Sequence, residues 1–277
     1  MRIKKIKNNQ YIKSESSDYW IRNYTNSSYY LDINNKLSQN DYFLLMQNEF
    51  WNNKKRYPWI DFESPTYDCV VIVSDGYDLE KIYPLIEDVS SKNICFLGVN
   101  GVLKKWRCKK SLNYYVVNNP YDQCISFLPS GSSLPRCIAS NRTNYVFLQN
   151  YRGIVYRYFP VCEEKFVFTK SSENLYQIDD YRNPICASIG LAYRFKANRV
   201  LLLCCDDVFE ENKLGSVPVE PGLFCYEQQN IAIDIIDAYL YWLRNKISVK
   251  YHCRWKKIKN AEYIDFESIL NYIKYGN

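Results

Sequence analysis

Two apolar runs stand out along the chain, and each ends in a polar turn. Cys69-Val-Val-Ile-Val73 runs into Ser74-Asp75-Gly76, and Val200-Leu-Leu-Leu-Cys-Cys205 runs into Asp206-Asp207. Uncharged runs of this length suit strands buried on both faces, the condition of strands inside a parallel sheet. In an open parallel sheet, ligands sit outside the carboxyl ends of the strands, so both runs carry polar groups to the edge where chemistry occurs.

The pattern around these runs alternates in type. A strand over 68–73 precedes a helix over 79–89 with Pro84 inside it. A strand follows at 93–98, then a turn from Gly98 to Gly101 and a short helical piece over 101–107. The next strand, 114–118, ends at Asn118-Asn119-Pro120. After a Pro, Gly and Ser loop over 129–137, short strands are expected at 135–140, 145–148 and 154–158. Pro184 suits the first turn of a helix, and that helix leads directly into the strand at 200–205. Ala232, Ile235, Ile236, Tyr239 and Leu243 recur at helical spacing and predict a helix over 227–245. A strand at 247–251 and a helix at 265–275 close the chain. This β-α-β-α-β order with short links predicts an α/β fold, a Rossmann-like open and mainly parallel sheet with helices on both faces. Residues 67–253 form its core. Residues 1–66 read as a polar extension with one helical stretch from Asp41 to Trp51, and 254–277 as a basic helical tail.

Composition narrows the partners. Apolar residues make up 47% of 277, enough for one sizeable core. The 27 tyrosines accompany abundant Asn and Lys and fit an AT-rich coding sequence, so they are not read as a binding surface. The net charge of +6 gathers at Arg2-Ile-Lys-Lys-Ile-Lys7 and Arg254-Trp-Lys-Lys-Ile-Lys259. No RNA- or DNA-binding motif accompanies these clusters, so nucleic acid is not the expected partner. The 11 cysteines are odd in number, lack a Cys-x-x-Cys and lie mostly in apolar stretches. They read as buried thiols of a reducing, cytoplasmic protein. No leader pattern and no run of 18 apolar residues is seen, so no membrane span is expected.

Candidate chemistry lies at the strand ends. Ser74, Asp75 and Gly76 stand where a strand turns into a helix, a place where amide groups meet phosphate. Asp206 and Asp207 are candidates for catalysis and for holding Mg²⁺ against a phosphate, since hard oxygen ligands suit that ion. They can equally orient a sugar hydroxyl. Asn100, Asn118 and Asn119 offer amides to a base or a ribose, and Arg142, with Arg136 and Arg152, offers a phosphate clamp. His252 is the one histidine and reads as a bystander. Its isolation argues against Ser-His-Asp, Cys-His and multi-histidine metal sites.

The order of Val70-Val-Ile-Val-Ser-Asp-Gly-Tyr-Asp-Leu79, Phe96-Leu-Gly-Val-Asn-Gly101, Tyr114-Tyr-Val-Val-Asn-Asn-Pro120, Ala187-Ser-Ile-Gly-Leu-Ala-Tyr193 and Leu201-Leu-Leu-Cys-Cys-Asp-Asp207 resembles the MptE-like family. That family includes 6-hydroxymethylpterin diphosphokinase and motility-associated glycosyltransferases acting on nonulosonic acids, on a fold related to that of the bacterial sialyltransferases. Its usual Gly-x-Gly-Pro-Ser-Leu is altered here. Ser74, Tyr77 and Asp78 stand at the first Gly, Pro and Ser, while Gly76 and Leu79 match. His252 has no clear counterpart to the histidine base of the sialyltransferase-like relatives. The resemblance implies a nucleotide-dependent transferase with a nucleotide and a small-molecule acceptor as partners. Diphosphate transfer from ATP stands first and glycosyl transfer from a nucleotide-activated sugar second. A non-catalytic binding protein on the same fold is the reading from a different class.

Overall fold

A computed structural model describes residues 39–62, 66–76, 78–91, 93–129, 131, 134–160, 176–178, 180, 183–205, 236–237, 239–253 and 258–276. Nine strands form one sheet: β1 Cys69–Val73, β2 Ile94–Val99, β3 Tyr114–Val117, β4 Arg136–Ser140, β5 Val155–Pro160, β6 Gln177–Ile178, β7 Arg199–Leu203, β8 Ser248–His252 and β9 Glu262–Tyr263. Their order is β6-β5-β4-β3-β2-β1-β7-β8-β9. Every pairing is parallel. The expected Rossmann-like open sheet is therefore present, with its reversal between β1 and β7. The uncharged runs are central strands: every residue of β1 is buried, and so are Val200 to Leu203 of β7.

Helices cover both faces. On one face, α2 (Leu79–Glu87), α3 (Val102–Lys105), α4 (Tyr145–Asn150) and α6 (Ile269–Tyr275) seal an apolar layer containing Ile82, Val102, Phe147 and Ile269 over Val71, Val73, Leu201 and Leu203. On the other, α5 (Pro184–Arg194) and the helical residues 239–243 bury Ile185, Ile189, Tyr239 and Leu243 over Val70, Ile72, Val200 and Leu202. The alternation within β1 and β7 sends successive side chains to opposite layers, as a strand requires. Asn183 caps α5 by accepting from the Ile185 amide at 2.8 Å and the Cys186 amide at 3.4 Å, with Pro184 in the first turn.

Three local expectations change. Residues 145–148 form the start of α4 rather than a strand. Tyr-Val-Phe-Leu has strand composition, but the Asn144 side chain accepts from the Phe147 amide at 2.9 Å and starts a helical turn instead. The strand expected at 200–205 ends at Leu203, because Cys204 takes a left-handed φ of 52°. The C-terminal helix begins at Ile269 rather than 265. Much of the helix expected over 227–245 lies outside the described residues.

The described parts of the extension and of the tail both join the core. A long helix, α1 (Gln39–Lys55), and the segment 57–60 lie against β5, where Trp59 makes a parallel bridge to Arg157. From the tail, β9 lengthens the sheet and α6 buries Tyr272 and Ile273.

Nine cysteines are described, and all are buried as thiols. Burial pushes the Cys69 thiol up to about 12, with Arg199 offsetting part of the effect. Burial likewise pushes Cys124 up to about 12, with Asp122 adding to it. These thiols stay protonated and unreactive at neutral pH. We expect a disulfide exchange reagent at pH 8 to titrate no more than Cys162 and Cys225, which lie outside the described residues, until denaturant is added. Rapid native labelling of Cys69 or Cys137 would overturn this.

Candidate functional site

The carboxyl edge of the sheet at the β1/β7 reversal is where an open parallel fold leaves a crevice. There the turn after β1 is tied to its neighbours. The Ser74 amide donates to the Leu203 carbonyl at 3.1 Å, and the Gly76 amide donates to the Cys204 carbonyl at 2.9 Å. On the other flank, Asn100 Nδ2 donates to Ser74 Oγ at 3.1 Å, and the Tyr115 hydroxyl donates to the Asn100 carbonyl at 2.7 Å. Asn100 and Cys204, with φ of 54° and 52°, flank β1 on either side. Left-handed residues other than glycine are uncommon and gather where a fold holds a special turn.

Asp75 faces inward. Its Oδ1 accepts from the Gly101 amide at 3.2 Å and its Oδ2 lies 3.3 Å from Lys105 Nζ. Lys105 Nζ also donates to the Asp75 carbonyl at 2.7 Å. The carboxylate side chain is 4% exposed while that of Lys105 is 55% exposed. Asp75 thus ties the end of β2 to the end of β1 and anchors a lysine at the rim of the crevice. The next helix, α2, opens with Asp78, which pairs with Lys81 at 2.8 Å, and with Glu80 in its first turn. Acidic groups there oppose an incoming phosphate.

Further along the edge, Asn118 Nδ2 lies 3.4 Å from Asp180 Oδ2, and the buried Tyr158 hydroxyl donates to the same oxygen at 2.7 Å. Burial and then the Asp180 carboxylate push the Tyr158 hydroxyl far above its usual value, so it remains a donor. The Asn119 side chain accepts from the Tyr121 amide at 2.8 Å, a local turn. Arg142, after β4, is buried and its Nε lies 3.2 Å from Glu49 Oε2 on α1.

His252 ends β8. Register aligns Val73 with Leu203 and Leu203 with His252 across adjacent strands. At a strand spacing of about 4.8 Å, the histidine is about 10 Å from the end of β1. Its Nδ1 lies 2.9 Å from the Ile264 carbonyl, and its ring lies against Tyr263 and Phe266. A carbonyl accepts only, so Nδ1 carries a proton, and in the uncharged form of the ring the lone pair lies on Nε2. Beside it, the Ser268 hydroxyl and amide hold the Asp265 carboxyl below its usual value, with His252 adding to the effect.

Of the residues singled out in the sequence, Ser74, Asp75, Gly76 and Asn100 form one hydrogen-bonded group at the reversal. Asn118 belongs to a neighbouring group, and Asn119 and Arg142 serve other contacts. Asp206 and Asp207 lie outside the described residues. Among the described residues, no three His, Cys, Asp or Glu side chains gather to hold a metal. Lys105, Tyr158 and Asp180 were not singled out. Lys105 lies in a helix of four residues, and Tyr158 hides in an apolar strand. On the opposite, amino edge, a cleft of about 700 Å³ is lined by Asn198, Arg244, Lys246, Lys259 and Glu262, among others.

The chain is similar in fold to the MAf glycosyltransferase from Magnetospirillum magneticum AMB-1, with a TM-score of 0.60 and 14% identity over 82% of this chain. The match covers 38% of that protein, so this chain spans well under half its length. No family model and no curated protein matches the sequence. No helix among the described residues is long and apolar enough to cross a membrane.

Proposed function

We propose that the chain is a glycosyltransferase that draws a sugar from a nucleotide-activated donor bound at the β1/β7 crevice. The observation that carries this reading is the row Val73, Leu203, His252. It brings the β1 turn and a histidine with an Nε2 lone pair to one edge of the sheet. Direct displacement at the anomeric carbon is aided by such a base. The acceptor hydroxyl gives its proton to Nε2 as its oxygen bonds to the anomeric carbon. The bond from that carbon to the phosphate oxygen breaks, and its electron pair leaves with the nucleotide. Lys105, anchored by Asp75, supplies positive charge at the rim for the leaving phosphate. The likeness to a glycosyltransferase fold is in keeping with this chemistry, although a fold alone assigns none.

Diphosphate transfer from ATP asks more of the phosphate cradle. Two amides of the β1 turn are spent on the carbonyls of Leu203 and Cys204 at the end of β7, and the following helix opens with acids. The described carboxylate at the crevice, Asp75, is engaged by Lys105 and Gly101, so it is not a ready Mg²⁺ ligand. Asp206 and Asp207 are the residues that would hold Mg²⁺, and their replacement by asparagine tests that role.

Calorimetry with CMP-, UDP- and GDP-sugars and with ATP, each with and without Mg²⁺, tests the reading. Binding of a nucleotide-sugar is expected. His252→Gln should keep that affinity within about twofold while lowering transfer by about 10²–10⁴-fold. Mg²⁺-dependent binding of ATP alone would favour diphosphate transfer. Nucleotide-sugar binding with neither transfer nor donor hydrolysis would favour a binding protein. Silence across the panel would remove the enzyme reading.

A further inference from the structure

The turn after β4 is built from side chains suited to a ligand and is filled by the chain itself. Ser140, Asn141, Arg142, Thr143 and Asn144 are five consecutive polar residues, all buried. They stand at the carboxyl edge of the sheet, where a connecting turn ordinarily meets water. Here the turn meets α1, and the contact is largely polar. Asn48 donates to the Pro120 carbonyl and accepts from the Tyr145 amide. Asn52 Nδ2 donates to the carbonyls of Asn141 and Thr143 at 3.0 and 2.8 Å. Between them, Glu49 places Oε2 3.2 Å from Arg142 Nε, with the two side chains 0% and 7% exposed. One residue away, the Nδ2 of Asn141 is fully buried and meets no acceptor among the described residues.

We propose that the Asn141–Arg142 turn is a binding site for a ligand oxyanion, a carboxylate or a phosphate, and that Glu49 occupies it until α1 lifts. The chemistry is that of exchange. A guanidinium buried beside one carboxylate takes another oxyanion at little net cost, since one desolvated anion replaces another. The anchors Asn48 and Asn52 resist opening only in part, because water takes up most of their hydrogen bonding when the helix departs. The incoming anion also offers the acceptor that Asn141 Nδ2 lacks. Glu49 lies in the middle of α1 and is fully buried, so its carboxylate leaves only with the helix. Leu45 and the Trp51–Tyr145 stack give the helix an apolar seat to return to. This inference does not depend on the transfer chemistry above.

The test uses the full chain, with inorganic phosphate and acetate titrated separately into wild type, Glu49→Gln and the Glu49→Gln/Arg142→Gln double variant. Glutamine keeps the shape of residue 49 and removes its charge. One of the two anions is expected to bind Glu49→Gln at least about tenfold more tightly than wild type, and the double variant is expected to lose that gain. Which anion binds separates a carboxylate site from a phosphate site. In wild type, the anion should speed amide hydrogen exchange over 45–52 and leave β1–β3 unchanged. Equal anion affinity in all three proteins, or unmoved exchange in α1, overturns the proposal. If Glu49→Gln does not fold, the exchange measurement on wild type decides by itself.

Discussion

Replacing Arg157 by methionine is expected to lower the unfolding free energy by about 3–5 kcal/mol, among the largest effects of any single change in this chain. Arg157 lies on β5 and is 5% exposed. Its Nε donates to the Tyr57 carbonyl at 2.8 Å. Its Nη1 reaches the Asn52 carbonyl, Asn53 Oδ1 and Asn141 Oδ1 at 3.2, 2.7 and 2.9 Å. The guanidinium also lies over the Trp59 ring, 4.3 Å from its centroid. Methionine fills much of the volume and meets none of those oxygens, so buried carbonyls lose a donor together. Lysine keeps the charge but has no planar fork, and it should recover less than half of the loss. Urea unfolding followed by circular dichroism measures both variants. A methionine variant within about 1 kcal/mol of wild type would show that water replaces the guanidinium, and the account would fail.

The second large effect belongs to Gly101. A Cβ at this position would lie 2.3 Å from Asp75 Oδ2 and 3.0 Å from Asp75 Cγ. The glycine is required by closeness rather than by backbone angle, since its φ is −76°. Gly101→Ala must push the carboxylate away from the Gly101 amide and from Lys105, at a cost of about 2–4 kcal/mol. Because the carboxylate is the obstacle, Asp75→Ala in the same background should remove the clash. A double-mutant cycle should therefore show coupling between the two positions of more than about 1 kcal/mol. Additive effects would mean that the turn relaxes freely. The alanine variant should also weaken donor binding, because Lys105 loses its anchor at the rim.

How far the sequence carried can be stated residue by residue. Cys69–Val73 and the run ending at Cys205 were legible because burial on both faces demands unbroken apolar character. The start of α5 was legible in Pro184, a residue suited to the first turn of a helix. Tyr145–Leu148 was not, because its composition favours a strand while one Asn144 side chain decides for a helix. The strands β6 and β9 contain two residues each, too few for any period to show. At the site, the position of Ser74 to Gly76 at a strand end could be read locally. The direction of Asp75 could not, since it depends on Lys105, which comes from the next β-α unit. Arg142 read as an open phosphate clamp because its partner, Glu49, lies 93 residues earlier. His252 read as a bystander because strand order, which sets it two strands from β1, leaves no trace in a local pattern.

The position of β1 has a consequence for how the protein is made. This strand opens the sheet's sequence, yet it ends in the middle of the sheet, with β2 on one side and β7 on the other. As the chain leaves the ribosome, β2 to β6 can add in turn on one flank. The other flank keeps a row of unpaired amides and carbonyls, on an apolar strand, until residues 199–203 arrive. Nascent chains are therefore most open to mispairing with each other in that interval. A fragment ending before Arg199 would keep that sticky flank permanently, whatever the stability of the finished sheet.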